Sequence, residues 1–341
     1  MFFASDNAAG VAPPIMAALA RANAGYAPSY GADAIMDRVR AQIREIFAAP
    51  EAAVHLVATG TAANSLALSV YCPAWGAVFC HSHAHIATDE CGAPEFYSGG
   101  AKLILVDGAQ GRMTPQTLAA ALARTPQGDV HSVQRAVVSI TNVTEAGTVY
   151  TPAEIAALTA AAGGLPCHMD GSRFANALAA TGATPAAMTW AAGIDILSLG
   201  GTKNGCMGVE AVVIFDPAKA WEFELRRKRG GHLISKNRYL AAQMEAYLTD
   251  GLWLRLAAHA NSMAARLAAG LAAIPGASLS QPVQANILFP EWPPGTHARA
   301  GAAGAIYDPM PAPEGREAAR LVASWSTTTT EVDAILAALQ P

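Results

Sequence analysis

The chain has 341 residues, 52% of them in the AVILMFWYC set and 14% charged, with 22 Lys and Arg against 26 Asp and Glu for a formal charge of -4. That length and apolar content can bury a sizeable core, which excludes a disulfide-stapled miniprotein and a disordered chain. The slight acidic excess leaves no positive charge to neutralise phosphates along a nucleic acid, so nucleic acid is not an expected partner.

Met1 to Gly10 has no basic region followed by an apolar stretch, and no secretory signal is expected. Further on, Ile35, Val39, Ile43, Ile46 and Phe47 recur at three- and four-residue spacing among Asp37, Arg38, Arg40 and Arg44, which predicts an amphipathic helix. Short apolar runs then read as buried strands: VHLVA (54–58), AVFC (77–80), KLILVD (102–107), RAVVSIT (135–141), LPCHMD (165–170), DILSLG (195–200) and EAVVIF (210–215). Ala- and Leu-rich stretches such as 114–123 and 151–162 separate them, each opened by a Thr cap and a Pro at the first helical position. Alternating strand and helix imply an α/β domain with a mostly parallel sheet covered by helices.

The uncharged run 174–194 is interrupted by Gly182 and Pro185, which favours two buried helices over a membrane span. Long helices are expected at about 216–248 and 250–274. Strand candidates ANILF (285–289) and RLVASW (320–325) then flank a Pro- and Gly-rich connection. The expected division is a large domain over 1–248, N-terminal segment included, and a small α+β domain over 249–341. Five cysteines, odd in number and without metal-finger spacing, favour reduced thiols and a cytoplasmic location.

Ligands of such sheets sit at the carboxyl ends of the strands, so the residues after each strand carry the functional reading. Thr59-Gly60-Thr61 opens a helix after the first strand, an anion seat suited to a phosphate, although Gly-Thr there is also a common turn and cap. His81, His83 and His85 alternate after the second strand. A metal-dependent hydrolase built on them is one reading; hydrogen-bonded packing of His81 and His83, with His85 facing a ligand, is the other. Asp170 ends a buried strand and needs a partner. Lys203, in G-G-T-K-N-G, ends the next strand, on the same edge of the sheet.

A phosphate seat, a histidine able to stack, an acid that can hold a pyridine nitrogen protonated and a reactive amine are together what pyridoxal phosphate requires. Ser5-Asp6-Asn7, the segment 59–64, H-x-x-x-D-E-C-G-A from His85, H-M-D-G-S-R from His168 and G-G-T-K-N-G resemble the low-specificity L-threonine aldolases of the fold type I, β-eliminating lyase and threonine aldolase group. The resemblance implies an aldolase that cleaves L-threonine, L-allo-threonine and related 3-hydroxy amino acids, phenylserine among the candidates, to glycine and an aldehyde. It implies Lys203 as the cofactor lysine, Asp170 as partner of the ring nitrogen, His85 against the ring, and Gly60 with Thr61 at the phosphate. Ser5, Arg173 and Arg320 would hold the substrate carboxylate, with Arg173 also beside the cofactor. Lys236 or Arg238 would reach a phosphate of a neighbouring subunit in a dimer or tetramer.

One departure stands out: Thr144 occupies the place where many threonine aldolases have a histidine facing the substrate hydroxyl, which leaves the general base open. The nearest rivals within the fold are a β-eliminating lyase and an aminotransferase. No metal site is implied by the resemblance.

Overall fold

Seven strands form one sheet in the computed structural model, which describes all 341 residues. They are β1 (Ala53–Val57), β2 (Gly76–His81), β3 (Lys102–Val106), β4 (Gln134–Thr141), β5 (Cys167–Gly171), β6 (Ile196–Gly200) and β7 (Glu210–Ile214), arranged β1-β7-β6-β5-β4-β2-β3. The neighbours from β6 across to β3 pair in parallel, as the alternating pattern predicts. β7 runs the other way, antiparallel to both β6 and β1. The connection over residues 201–209 is too short to carry a parallel crossover, so the chain turns back on itself there.

Helices cover the sheet where the caps place them. Asp33 accepts from the backbone N–H groups of Ile35 and Met36 and starts the helix Ala34–Ile46. Thr114 and Thr151 cap the helices Pro115–Arg124 and Pro152–Ala161 through reciprocal capping boxes. The expected helix over 216–248 is two: Ala220–Arg229 and Arg238–Leu248. Gly231, at a φ of +80°, takes the left-handed conformation in the loop that separates them. The second helix expected within 174–194 is a single 3-10 turn, Trp190–Ala192, after the helix Phe174–Thr181.

A second, antiparallel sheet consists of β8 (Ser278–Leu279), β9 (Ile287–Leu288), β10 (Pro290–Trp292), β11 (Asp308–Met310) and β12 (Glu317–Val322). ANILF therefore contributes only a short strand, followed at once by β10. The small sheet has its own core, and Phe3 belongs to it, packed with Leu267, Leu288, Trp292 and Leu321. Phe3 thus packs on the C-terminal unit, while Ala12 and Ile15 of the same N-terminal segment belong to the core of the large sheet. The helix Leu252–Leu271 serves both cores, giving Trp253 and Ala257 to the first and Met263 and Leu267 to the second. No helix is long and apolar enough to cross a membrane.

Candidate active site

Two joined cavities, of about 660 and 250 Å³, lie at the carboxyl ends of the parallel strands and share Asn7, His85 and Lys203. The smaller is floored by the start of the helix Gly60–Tyr71. Thr59 accepts from Ala62 N–H at 3.1 Å, which leaves the N–H groups of Gly60 and Thr61, the first two of the helix, without intrahelical partners. A Cβ added at Gly60 would meet only Ser172 Oγ, at 3.7 Å, so the cradle is open. The larger cavity extends toward the second sheet, where Ser280, Phe289, Met310 and Arg320 line it.

Asp170, at the end of the central strand β5, is 2% exposed. Its Oδ1 accepts from Ser172 N–H at 3.0 Å and Ser172 Oγ–H at 2.7 Å, and its Oδ2 accepts from Asn64 Nδ2 at 3.1 Å. Burial raises its carboxyl, but the Ser172 hydrogen bonds and the charge of Lys203 outweigh that and hold it below the usual carboxylate range. Beneath it, His168 is sealed between Ser139 and Ser198, hydrogen-bonded at 2.9 and 3.0 Å, and burial lowers it to about 4. A neutral imidazole therefore underlies an ionised aspartate.

Lys203 lies in the turn after β6 and lines both cavities, half-buried. The glycines around it have a steric cause: a Cβ at Gly200 would sit 2.2 Å from the Ser172 carbonyl oxygen, so the turn can press against the Asp170 loop only without a side chain. Behind Lys203, Glu210 of β7 accepts from Gly201 N–H at 2.8 Å. Burial raises its carboxyl to about 7, against the opposing pull of Thr202, Gly201 and the Lys203 charge. Asn64 joins the site across 106 residues of sequence, which no local spacing marks, whereas Ser172 bonds Asp170 two residues away and Glu210 bonds Gly201 nine away.

The three histidines of H-S-H-A-H separate. His81 has both nitrogens committed, Nδ1 accepting from His83 N–H at 3.0 Å and Nε2 donating to Gly108 O at 3.0 Å, which is the packing role expected of it. His83, expected to pack as well, is instead exposed and lines the larger cavity, its ring edge-on to His81 at 5.4 Å. His85 faces both cavities, with Nδ1 3.0 Å from Glu90 Oε1. No three His, Cys, Asp or Glu side chains in the chain are grouped as metal ligands.

Arg320 reaches the larger cavity from β12, with Nη1 3.3 Å from both Ala4 O and Asp308 Oδ2 and the rest of its fork uncommitted. Arg173 lines the same cavity, but Nε and Nη2 are taken by Asp6, leaving Nη1 for any ligand. Ser5 also lines it, its Oγ accepting from Asn7 N–H at 3.1 Å. Thr144 does not: it is buried, and its hydroxyl is tied to Thr148 Oγ1 at 2.7 Å inside the turn. The side chain this turn presents to the cavity is Glu145, one residue on. Lys236 and Arg238 line neither cavity of their own chain; Lys236 is exposed, and Arg238 donates to Gly25 O at 3.0 Å.

The beta-eliminating lyase family matches residues 3–291. The chain belongs to that family. It is 45% identical over 289 residues to a low specificity L-threonine aldolase of Pseudomonas sp. (strain NCIMB 10558), a match covering 84% of this chain and 83% of the relative. In structure it is similar to the threonine aldolase of Leishmania major, with a TM-score of 0.93, 32% identity and coverage of 99% and 98% of the two chains. A serine palmitoyltransferase of Sphingomonas wittichii shares the fold at a TM-score of 0.72 and 14% identity, over 100% of this chain and 86% of that one. The α/β class read from the strand pattern is thus the fold type I class of this family.

The residues present fit pyridoxal phosphate. An open cradle at a helix N-terminus suits its phosphate, an ionised buried aspartate suits a protonated ring nitrogen, and a half-buried lysine between them supplies the amine.

Proposed function

We propose that this chain is a pyridoxal phosphate-dependent aldolase, a carbon-carbon lyase that converts L-threonine, L-allo-threonine and related L-3-hydroxy-α-amino acids to glycine and an aldehyde. The observation that carries this reading is the convergence of Lys203, His85 and the helix start at Gly60 on joined cavities, with Asp170 held behind them by Ser172 and Asn64.

When bound, the cofactor supplies a protonated ring that takes up the electron pair left at Cα as the Cα–Cβ bond breaks. Lys203 holds it through its amine, Asp170 keeps a proton at the ring nitrogen, and His85 offers an aromatic face. Gly60 and Thr61 present backbone N–H groups to the phosphate. Arg320, with Ser5 and the remaining Nη1 of Arg173, orients the substrate carboxylate through charge-assisted hydrogen bonds. Lys236 and Arg238, which lie outside their own chain's cavities, would serve the phosphate of a neighbouring subunit in a cytoplasmic homodimer or homotetramer.

The purified protein should be yellow and should release glycine and acetaldehyde from L-threonine in equal amounts. A keto acid product would identify an aminotransferase instead. Release of neither product from a cofactor-loaded protein would overturn the proposal.

A further inference from the structure

The Glu90 side chain has no exposure, and the chain is bent to put it there. Cys91 and Gly92 follow it with φ of 51° and 73°, two successive left-handed residues, the first without the freedom of glycine. The turn aims Glu90 inward behind His85. Its Oε1 receives two contacts, His85 Nδ1 at 3.0 Å and Asn64 Nδ2 at 2.9 Å. The same Asn64 amide donates to Asp170, so one side chain joins the acid behind His85 to the acid assigned to the ring nitrogen. Glu90 Oε2 and Asn64 Oδ1 are buried without partners.

An oxygen that already accepts from Asn64 is poorly placed to be the hydroxyl of a protonated acid, so the hydrogen in the His85 contact sits on Nδ1. We propose that Glu90 is the positioning residue for His85: it fixes the tautomer with Nδ1–H toward itself and leaves Nε2 bare toward the cleft, as the proton acceptor for the substrate 3-hydroxyl. This rests on the aldolase reading. The hydroxyl proton passes to Nε2, the O–H electron pair becomes the second C–O bond of the aldehyde, and the Cα–Cβ pair stays with Cα. The Glu90 carboxylate then balances the imidazolium. Thr144, turned inward, takes no part.

The charged groups around His85 act in both directions. The Glu90 hydrogen bond raises its basicity most, burial and Lys203 lower it, and Asp170 and Glu145 raise it. His83, Asp89 and Arg173 line the same cavity.

The test is nitrogen-15 NMR of the histidines in the holoenzyme, with His85 assigned by its loss in His85→Phe, alongside the pH profile of kcat/KM for L-threonine. The parent should show the Nδ1–H tautomer. Glu90→Gln, which keeps an acceptor oxygen but removes the charge, should lower the His85 titration midpoint by about one to two pH units, and the acid limb of kcat/KM should move with it. kcat/KM should fall about 10- to 100-fold while the cofactor absorbance stays. Glu90→Asp should recover part of the shift.

An Nε2–H tautomer in the parent would overturn the proposal without any variant. A slower Glu90→Gln enzyme with an unmoved midpoint and acid limb would reduce Glu90 to packing. A parent that gives clean tautomer data but no glycine would instead overturn the aldolase reading.

Discussion

Arg173 donates to Asp6 through Nε at 2.7 Å and Nη2 at 3.0 Å, with both side chains nearly sealed from solvent. Asn286 donates to the same carboxylate at 3.0 Å, so one buried acid ties the N-terminal segment to the end of β5 and to the second sheet. Burial would raise the Asp6 carboxyl, but Arg173 more than offsets this and holds it below the usual range. Asp6→Asn should therefore cost on the order of 3–5 kcal/mol, because a buried guanidinium loses its counter-charge. Urea denaturation of parent and variant at pH 7 checks this, and an unchanged midpoint would mean that Arg173 is balanced elsewhere.

Arg320 has no comparable lock. Arg320→Ala should raise KM for β-hydroxy amino acids about 10- to 150-fold, the loss of charge-assisted hydrogen bonds worth about 1.5–3 kcal/mol, and should leave cofactor colour intact. Steady-state kinetics against L-threonine decide the matter. An unchanged KM would move the carboxylate to Arg173 and Ser5.

Glu210 predicts a pH dependence. A carboxyl that folding raises from 4.5 to about 7 favours the folded state fully below its unfolded value, and that contribution is lost as pH rises through about 7. Glu210→Gln carries no such titration. It should be more stable than the parent above pH 7, by about 3 kcal/mol at most, with the gap closing toward pH 5. Thermal melts of both apoproteins across pH 5–8 measure it; parallel curves would mean that Glu210 ionises freely in the fold.

Asp170→Asn tests the ring partner. The amide keeps an acceptor oxygen for Ser172 but turns an NH2 group toward the Asn64 amide donor and cannot hold a proton on the ring nitrogen, so kcat should fall by orders of magnitude while the far-ultraviolet spectrum is kept. A near-normal kcat would remove Asp170 from its assigned role.

Much of this was legible because buried strands announce themselves. The seven apolar runs of the first sheet end within one or two residues of where β1 to β7 end, and so Asp170 and Lys203 could be placed on one edge. Asn64, Glu90 and Asp170 meet in space from positions 26 and 106 residues apart, a relationship that no local spacing encodes. Two local signals point toward acids of the site: D-E-C-G puts one directly before a turn, and T-E-A-G offers a carboxylate beside Thr144. The reversal of β7 could have been inferred from its short connection to β6, and the break at 230–237 from the paired glycines. The docking of Phe3 on the second core depends on the tertiary path of the chain, which hydrophobic pattern alone does not carry.

The most direct test of the central claim is borohydride reduction of the yellow holoenzyme, followed by peptide mapping of the labelled lysine and assay of Lys203→Ala with L-threonine. The expected result is label on Lys203 alone, with loss of the visible band and nearly all glycine release in the variant. Label on any other lysine, or a Lys203→Ala enzyme that keeps its colour and turnover, would contradict the account.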